Sequence, residues 1–221
     1  MATREMIERL ATLGSEALAG RLEPDEAEEW LSLPARHKDD LLYLLGLRNG
    51  FYAFESALHV FPFSMVDCCD RQDLLRWNNY ELWKREYGAV AEKMFCFAED
   101  VFGYQFCFHD NRIKRFEPET GDLENLCGTL EEWAGLICSD FELHTGYRVA
   151  RDWQAIRGPL KAGNRLLPVY PFVTSMGTCE LTNLYEVNAL AGMLSRADFA
   201  RQIKSVPDGE PIRIVPTKLP E

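Results

Sequence analysis

Between Phe95 and Ile137 the chain carries its densest regular pattern of apolar positions. Phe102, Tyr104, Phe106 and Phe108 alternate with Gly103, Gln105 and Cys107, the two-residue period of a strand with one face turned to a core. His109, Asp110 and Asn111 are turn formers, and Arg112 to Phe116 follows as a shorter strand, so the pair predicts a β-hairpin. Ile113 and Phe116 do not share a face of that second strand. Another turn is expected at Glu119, Thr120, Gly121 and Asp122. Thr129 and Glu132 then have the spacing of a capping box, in which each side chain satisfies an orphan N–H of the other's turn. Leu130, Trp133, Ala134, Ile137 and Phe141 make one helical stripe behind it. With Phe95 to Ala98 as a preceding strand, the block reads as strand, hairpin, loop and amphipathic helix.

The same reading extends outward. Residues 3 to 13 predict a short helix with Ile7, Leu10, Ala11 and Leu13 on one side. Pro24 opens a second, its first turn crowded by Asp25, Glu26, Glu28 and Glu29, where the positive end of the helix dipole favours carboxylates. A third runs from about Ala35 to Leu47 and stops at Asn49-Gly50. Strands are expected at Phe51 to Phe54 and Leu58 to Phe61. A helix capped by Asp70 is expected through Tyr87, its Leu74, Leu75, Trp77, Tyr80, Leu82 and Trp83 being core at helical spacing. Tyr147 to Leu167 is basic and loop-like, either a connector or a partner-facing arm. Val169 to Thr174 and Glu180 to Val187 read as strands around a turn at Met176-Gly177. A helix over Asn188 to Ser205, a turn at Asp208-Gly209 and a closing strand at Ile212 to Val215 complete the chain. Helices and strands mix without a sharp break. The length fits one large domain or a domain with an extension.

Charge narrows the function. The net charge is −11, and it is uneven: residues 140–221 hold nine acids against ten Lys and Arg, so the first 139 residues hold 26 acids against 14 bases. Nucleic acid is therefore a poor direct ligand, since phosphate binding needs clustered Lys and Arg. Ten acids and four bases fall between Glu92 and Glu132. Among these acids Glu99, Asp100, Asp110, Glu117, Glu119, Asp122 and Glu124 lie at expected turns and strand ends. A sheet rim could gather them into a negative patch that binds a basic partner protein, or they could serve solubility alone.

Reactive chemistry finds less support. The four histidines, at 37, 59, 109 and 144, form no HxH, HExxH or HxxxH pair, and the His109-Asp110 dipeptide occupies a turn where Asp is wanted for backbone reasons. Asp67, Cys68, Cys69 and Asp70 are the one imaginable metal cluster, but two adjacent thiolates do not converge on one tetrahedral ion without strain. No glycine-rich phosphate loop or nucleophile elbow is present, so neither a metal nor a cofactor is expected and no catalytic residue is assigned. Seven scattered cysteines fit reduced thiols rather than a disulfide framework. The charged amino terminus and the lack of a long apolar run favour a cytoplasmic location over a membrane.

The order of the Glu99-to-Phe108 hairpin, the Glu119-Thr120-Gly121 loop and the Leu130-to-Leu136 helix resembles the Smi1/Knr4 family, or SUKH superfamily. Leu44 to Gly50, the Trp77-to-Tyr87 segment, Pro171-Phe172 and Thr182 to Tyr185 agree with it, which spreads the likeness from about Pro34 to Ile214. The resemblance implies an α+β fold without catalytic residues, a mixed, largely antiparallel sheet with helices packed on it, in one domain over 1–221 with 1–33 as a helical extension. It also implies an immunity protein that binds a cognate delivered toxin, a nuclease or deaminase, in the producing cell. The alternative that it implies is a regulatory or scaffolding adaptor without a toxin. An enzyme with an unrecognised site is a third reading, from a different class.

Overall fold

The computed structural model describes residues 3–22, 33–64, 72–207 and 209–212. At its centre six strands follow one another in chain order, each antiparallel to the next: β1 (Phe51–Ala53), β2 (Leu58–Val60), β3 (Phe95–Asp100), β4 (Gln105–His109), β5 (Arg112–Glu117) and β6 (Asp122–Cys127). The fold class is α+β. The sheet's strand pairs are all antiparallel, in keeping with the largely antiparallel sheet expected.

Residues paired across strands point to the same face, so the register assigns what each face buries. Phe106 stands opposite Ala98 and Arg115, and its ring lies 5.4 Å from that of Trp133. This face is roofed by α1 (Glu5–Thr12), α2 (Ala35–Leu47) and α5 (Leu130–Ser139). Helix α1 is tied down at its start, where the Glu131 carboxylate accepts the N–H groups of Met6 and Ile7. The other face carries Tyr52, His59, Glu99, Gln105 and Phe116. Trp77, Trp83 and Tyr87 cover it: the Trp77 indole donates to Gln105 Oε1 at 2.7 Å, and Trp83 and Tyr87 pack on Phe116. Because both faces are covered, Ile113 and Phe116 are each fully buried from opposite sides. In the aromatic strand β4 itself Gln105 and Cys107 are buried along with Phe106 and Phe108, which corrects the one-faced burial expected of it.

The Trp77 cover is not the long helix expected through Tyr87. After α3 (Leu74–Trp77) the chain turns, with only one 3-10 turn at Lys84–Glu86 and the short α4 (Ala89–Glu92) before β3. Asp73 is the cap, accepting from Leu75 and Arg76. Asn78 ends the helix because its amide is drawn to the sheet, accepting from Cys96 N–H and donating to Cys96 O, both at 2.7 Å. The Trp83 indole donates to the Trp77 carbonyl, which fixes the turn that follows.

Other boundaries move for local reasons. Strand β4 starts at Gln105, since the Asp100 carboxylate accepts the N–H groups of Phe102 and Tyr104 and holds both in a turn. The hairpin turn falls on Asp110 and Asn111, both at positive φ, as a two-residue connection requires. The stretch expected as a loop before Thr129 is the edge strand β6. The Thr129 cap forms, accepting from Glu132 N–H at 3.1 Å, while the Glu132 carboxylate reaches back to Gly128 N–H at 2.8 Å. Phe141 belongs to a new helix, α6 (Phe141–Thr145), started by Asp140.

The basic stretch after it is ordered too. It holds α7 (Tyr147–Arg157), which buries Ala150 and Trp153, and β7 (Asn164–Pro168). Strand β7 pairs antiparallel with β8 (Leu184–Asn188) in a second, two-stranded sheet, and Val169 to Thr174 turns instead of forming a strand. This sheet is joined to the first by Leu166 N–H donating to Val101 O at 2.9 Å. Helix α8 (Ala189–Ile203) closes the described fold, capped by Asn188. The acidic helix expected from Pro24, the Asp67-to-Asp70 cluster with its expected cap, Asp208, and residues 213–215 of the closing strand lie outside the described residues. No helix among the described residues is long and apolar enough to cross a membrane.

Candidate partner-binding surface

The seven acids expected on one negative rim separate into three groups. Glu99, Asp100 and Glu119 are buried, a correction to their expected surface position with a distinct cause for each. Glu99 sits under the sheet's second face, where Arg165 Nε donates to its Oε1 at 2.6 Å, Gln72 to the same oxygen at 2.9 Å, and Gln105 to Oε2 at 3.0 Å. His59 stands 3.4 Å away. Burial alone would raise this carboxyl, but Arg165 and His59 outweigh it and hold its pKa down at about 2. Asp100 serves the turn after β3. Burial pushes it up to about 7 against the pull of the Tyr104 and Phe102 N–H groups and of Arg115.

Glu119 is a clamp. Its Oε2 accepts Val173 N–H at 3.1 Å, tying the β5–β6 turn to the loop between Tyr170 and Cys179, and burial raises its pKa. Asn183 holds the same loop from the other side: its Oδ1 accepts Tyr170 N–H, while its Nδ2 donates to Tyr170 O and Thr178 O. Within the loop Gly177 lies so close to the Pro171 carbonyl that a Cβ would approach that oxygen to 2.2 Å. Only glycine permits this close backbone approach.

Asp110 lies at the other end of the sheet's hairpins from the β5–β6 turn and is already partnered, 3.2 Å from Lys114 and 2.9 Å from His109. The Lys114 hydrogen bond lowers its pKa, and burial lowers that of His109. Glu117, Asp122 and Glu124 are the acids brought together. Strand register sets Glu117 opposite Asp122 and Arg115 opposite Glu124, all on one face of the outer hairpin. Glu124 pairs with Arg115 at 2.7 Å, and Glu117 accepts the Tyr104 hydroxyl at 2.9 Å. One guanidinium therefore faces three carboxylates, and the face is net negative. Asp140 adds to it from α6, acting with Glu124 on His144. The sequence alone does not place Asp140 there, because it lies beyond the acid-rich stretch.

An apolar cleft of about 750 Å³ adjoins this hairpin. Thr120 of the β5–β6 turn forms part of its wall, with Tyr170, Val173 and Met176 from the clamped loop and Ile203, Val206 and Ile212 from the end of α8 and beyond. Tyr170, Val173 and Met176 are exposed at 47%, 42% and 59%, and Glu210 stands on the cleft's edge. Exposed apolar groups gathered at a cleft and rimmed by charge are the usual makings of a protein-binding surface. Reading Val169 to Thr174 as a strand hides this cluster, because the loop sends Phe172 to the core and leaves Tyr170 and Val173 exposed. Among the described residues no three His, Cys, Asp or Glu side chains gather as a metal site.

No family model and no curated protein matches this chain. A crystal structure of Atu4351 from Agrobacterium tumefaciens is similar to it in fold, with a TM-score of 0.50 over 86% of this chain and 87% of that one at 12% identity.

Proposed function

We propose that this chain is a protein-binding module that docks a basic partner domain on the apolar cleft and the acidic hairpin beside it. The observation that carries the reading is the shared wall: Thr120 links the turn bearing Glu117 and Asp122 to the cleft lined by Tyr170, Val173 and Met176. Affinity at such surfaces comes from aromatic and aliphatic anchors that leave water, while the charged rim steers approach and rejects partners of the wrong sign. A nuclease or deaminase domain needs a basic cleft for its own substrate, so a surface of this kind complements it. Together with the resemblance to Smi1/Knr4 proteins, this favours a cytoplasmic immunity protein that neutralises a cognate toxin.

The test is co-expression with the neighbouring reading frame. Under the immunity reading, cells carrying that frame alone stop growing, cells carrying both grow, and the two products co-purify. Continued killing, or separate elution of the two purified chains, sinks the reading.

A further inference from the structure

The clamped loop walls a second cavity, of about 330 Å³, on its other side, toward β3, β4 and α6. We infer that this cavity is a subsite for the ammonium or guanidinium head of an alkyl chain, held by the Asp100 carboxylate. The inference goes beyond the docking reading and does not require it.

Asp100 is only 5% exposed and lines the cavity. Its Oδ1 is filled by the N–H groups of Phe102 and Tyr104, each at 2.9 Å. Its Oδ2 accepts no hydrogen bond from the described residues and is not sealed from solvent, so it stands open to a donor that enters the cavity. The remaining walls suit a cation with a short apolar stem. Phe102 and Phe172 meet edge to face at 5.2 Å, and the Tyr104 ring and Leu143 stand with them. Aromatic faces attract alkylammonium and guanidinium groups. Gly146 makes room for this wall, because a Cβ there would come within 2.6 Å of the Phe102 ring. The volume sits at the lower end of the range for ligand pockets, which suits a head group with a few carbons and not a nucleotide.

The charges around the cavity agree. Arg115 lines it but is engaged by Glu124 at 2.7 Å and lies 5.5 Å from the Tyr104 ring centre. Arg196 of α8 approaches from behind and donates to Phe102 O. Against these two cations stand Asp100, Glu117, Glu119 and Glu124, so an added cation relieves an excess of negative charge. The affinity has a characteristic pH response. Burial sets Asp100 at about 7, and a bound cation favours the ionised form. Binding therefore releases a proton below that pH and tightens as pH rises toward it. Two neighbours also titrate on the acid side, since burial lowers His144 and raises the Glu119 carboxyl, so the part of the pH response that belongs to Asp100 is the part that Asp100→Asn removes.

Calorimetric titration of the whole chain with n-butylguanidinium, spermidine and N-acetyl-arginine amide tests this, with butyrate as the anionic control. The expected result is saturable binding of at least one cation, weakened about tenfold per unit as pH falls below about 7. Binding should also be weakened at least about tenfold by Asp100→Asn, which keeps the turn's acceptor and removes the charge. Cys179→Trp, at an exposed position on the cavity wall, should block it without touching Asp100. Preference for spermidine identifies a free polyamine as the source, and preference for the arginine amide identifies a side chain of a partner. Cation binding that is absent, or unchanged in both variants, overturns the subsite, as does tighter binding of butyrate. A toxin complex that survives Cys179→Trp leaves the docking reading standing whichever way the titration falls.

Discussion

Arg165 of β7 donates to Glu99 of β3 at 2.6 Å inside the protein, with both side chains at most 1% exposed. The pair fastens the two-stranded sheet to the six-stranded one, and Gln72, Gln105 and His59 complete the carboxylate's surroundings. Removing one member strands the other charge in a low-dielectric site, which costs about 3–5 kcal/mol. Arg165→Met and Glu99→Gln are each expected to show a loss of that order in urea unfolding. The double variant Glu99→Gln, Arg165→Met is expected to lose less than the sum of the two, since neither charge is left alone. Strict additivity would mean that the two side chains are not coupled.

The adjacent acids Glu99 and Asp100 give opposite pH dependences. Asp100 has a folded pKa of about 7, above its unfolded value, so the folded state holds the extra proton. Its contribution is present in acid and is lost as pH rises through about 7. Glu99 has a folded pKa of about 2, below its unfolded value; its contribution is present at neutral pH and is lost as pH falls toward 2. Stability measured by denaturation should therefore rise from about pH 7.5 to about pH 5 and fall below about pH 4. Asp100→Asn should flatten the first limb and leave the second. A first limb unchanged in that variant would assign it to another group.

Much of the sheet is legible in the sequence, because its signals are local. The Phe106/Phe108 alternation, the Asp110-Asn111 turn and the Thr129 cap each need only a few neighbouring residues to act. What the sequence conceals depends on distant partners. Glu99 reads as a surface acid until Arg165, 66 positions on, is seen beside it. Arg165 itself reads as part of a solvated basic loop. The helix expected to Tyr87 is broken by Asn78, whose amide meets the backbone of Cys96. Strand β6 is missed because only Leu123, Leu126 and Cys127 are screened from solvent along an exposed edge, which leaves no regular alternation to read. Of the expected patch, Glu117, Asp122 and Glu124 share a face because strand pairing sets them opposite one another and Arg115. Glu119 instead takes up two backbone N–H groups of the loop beside it.

The loop that walls both cavities depends on Asn183, which is 6% exposed and makes three hydrogen bonds to its backbone. Truncation to alanine leaves these backbone groups to find water or remain unpaired, a loss of about 2 kcal/mol. Asn183→Ala is expected to speed amide exchange at Tyr170, whose N–H it accepts, and to leave exchange in β4 unchanged. Equal acceleration in β4 would show global destabilisation in place of local release of the loop.

The hairpin carboxylates and the apolar cleft should divide the kinetics of partner binding between them. Neutralising Glu117, Asp122 and Glu124 by E117Q, D122N and E124Q removes charge while keeping shape. Association with the proposed basic partner should slow by about three- to tenfold at low salt, and its salt dependence should flatten. The matched triple variant E5Q, E16Q and E92Q changes net charge equally at exposed positions outside the hairpin, and it should have the smaller effect. Tyr170→Ala with Met176→Ala should instead raise the dissociation rate, since buried anchors act chiefly on how long a complex lasts. Stopped-flow mixing and surface-plasmon dissociation separate the two rates. If both triple variants slow association equally, the total charge and not the hairpin steers the encounter. If the cleft variant leaves dissociation unchanged, the cleft is not where the partner sits.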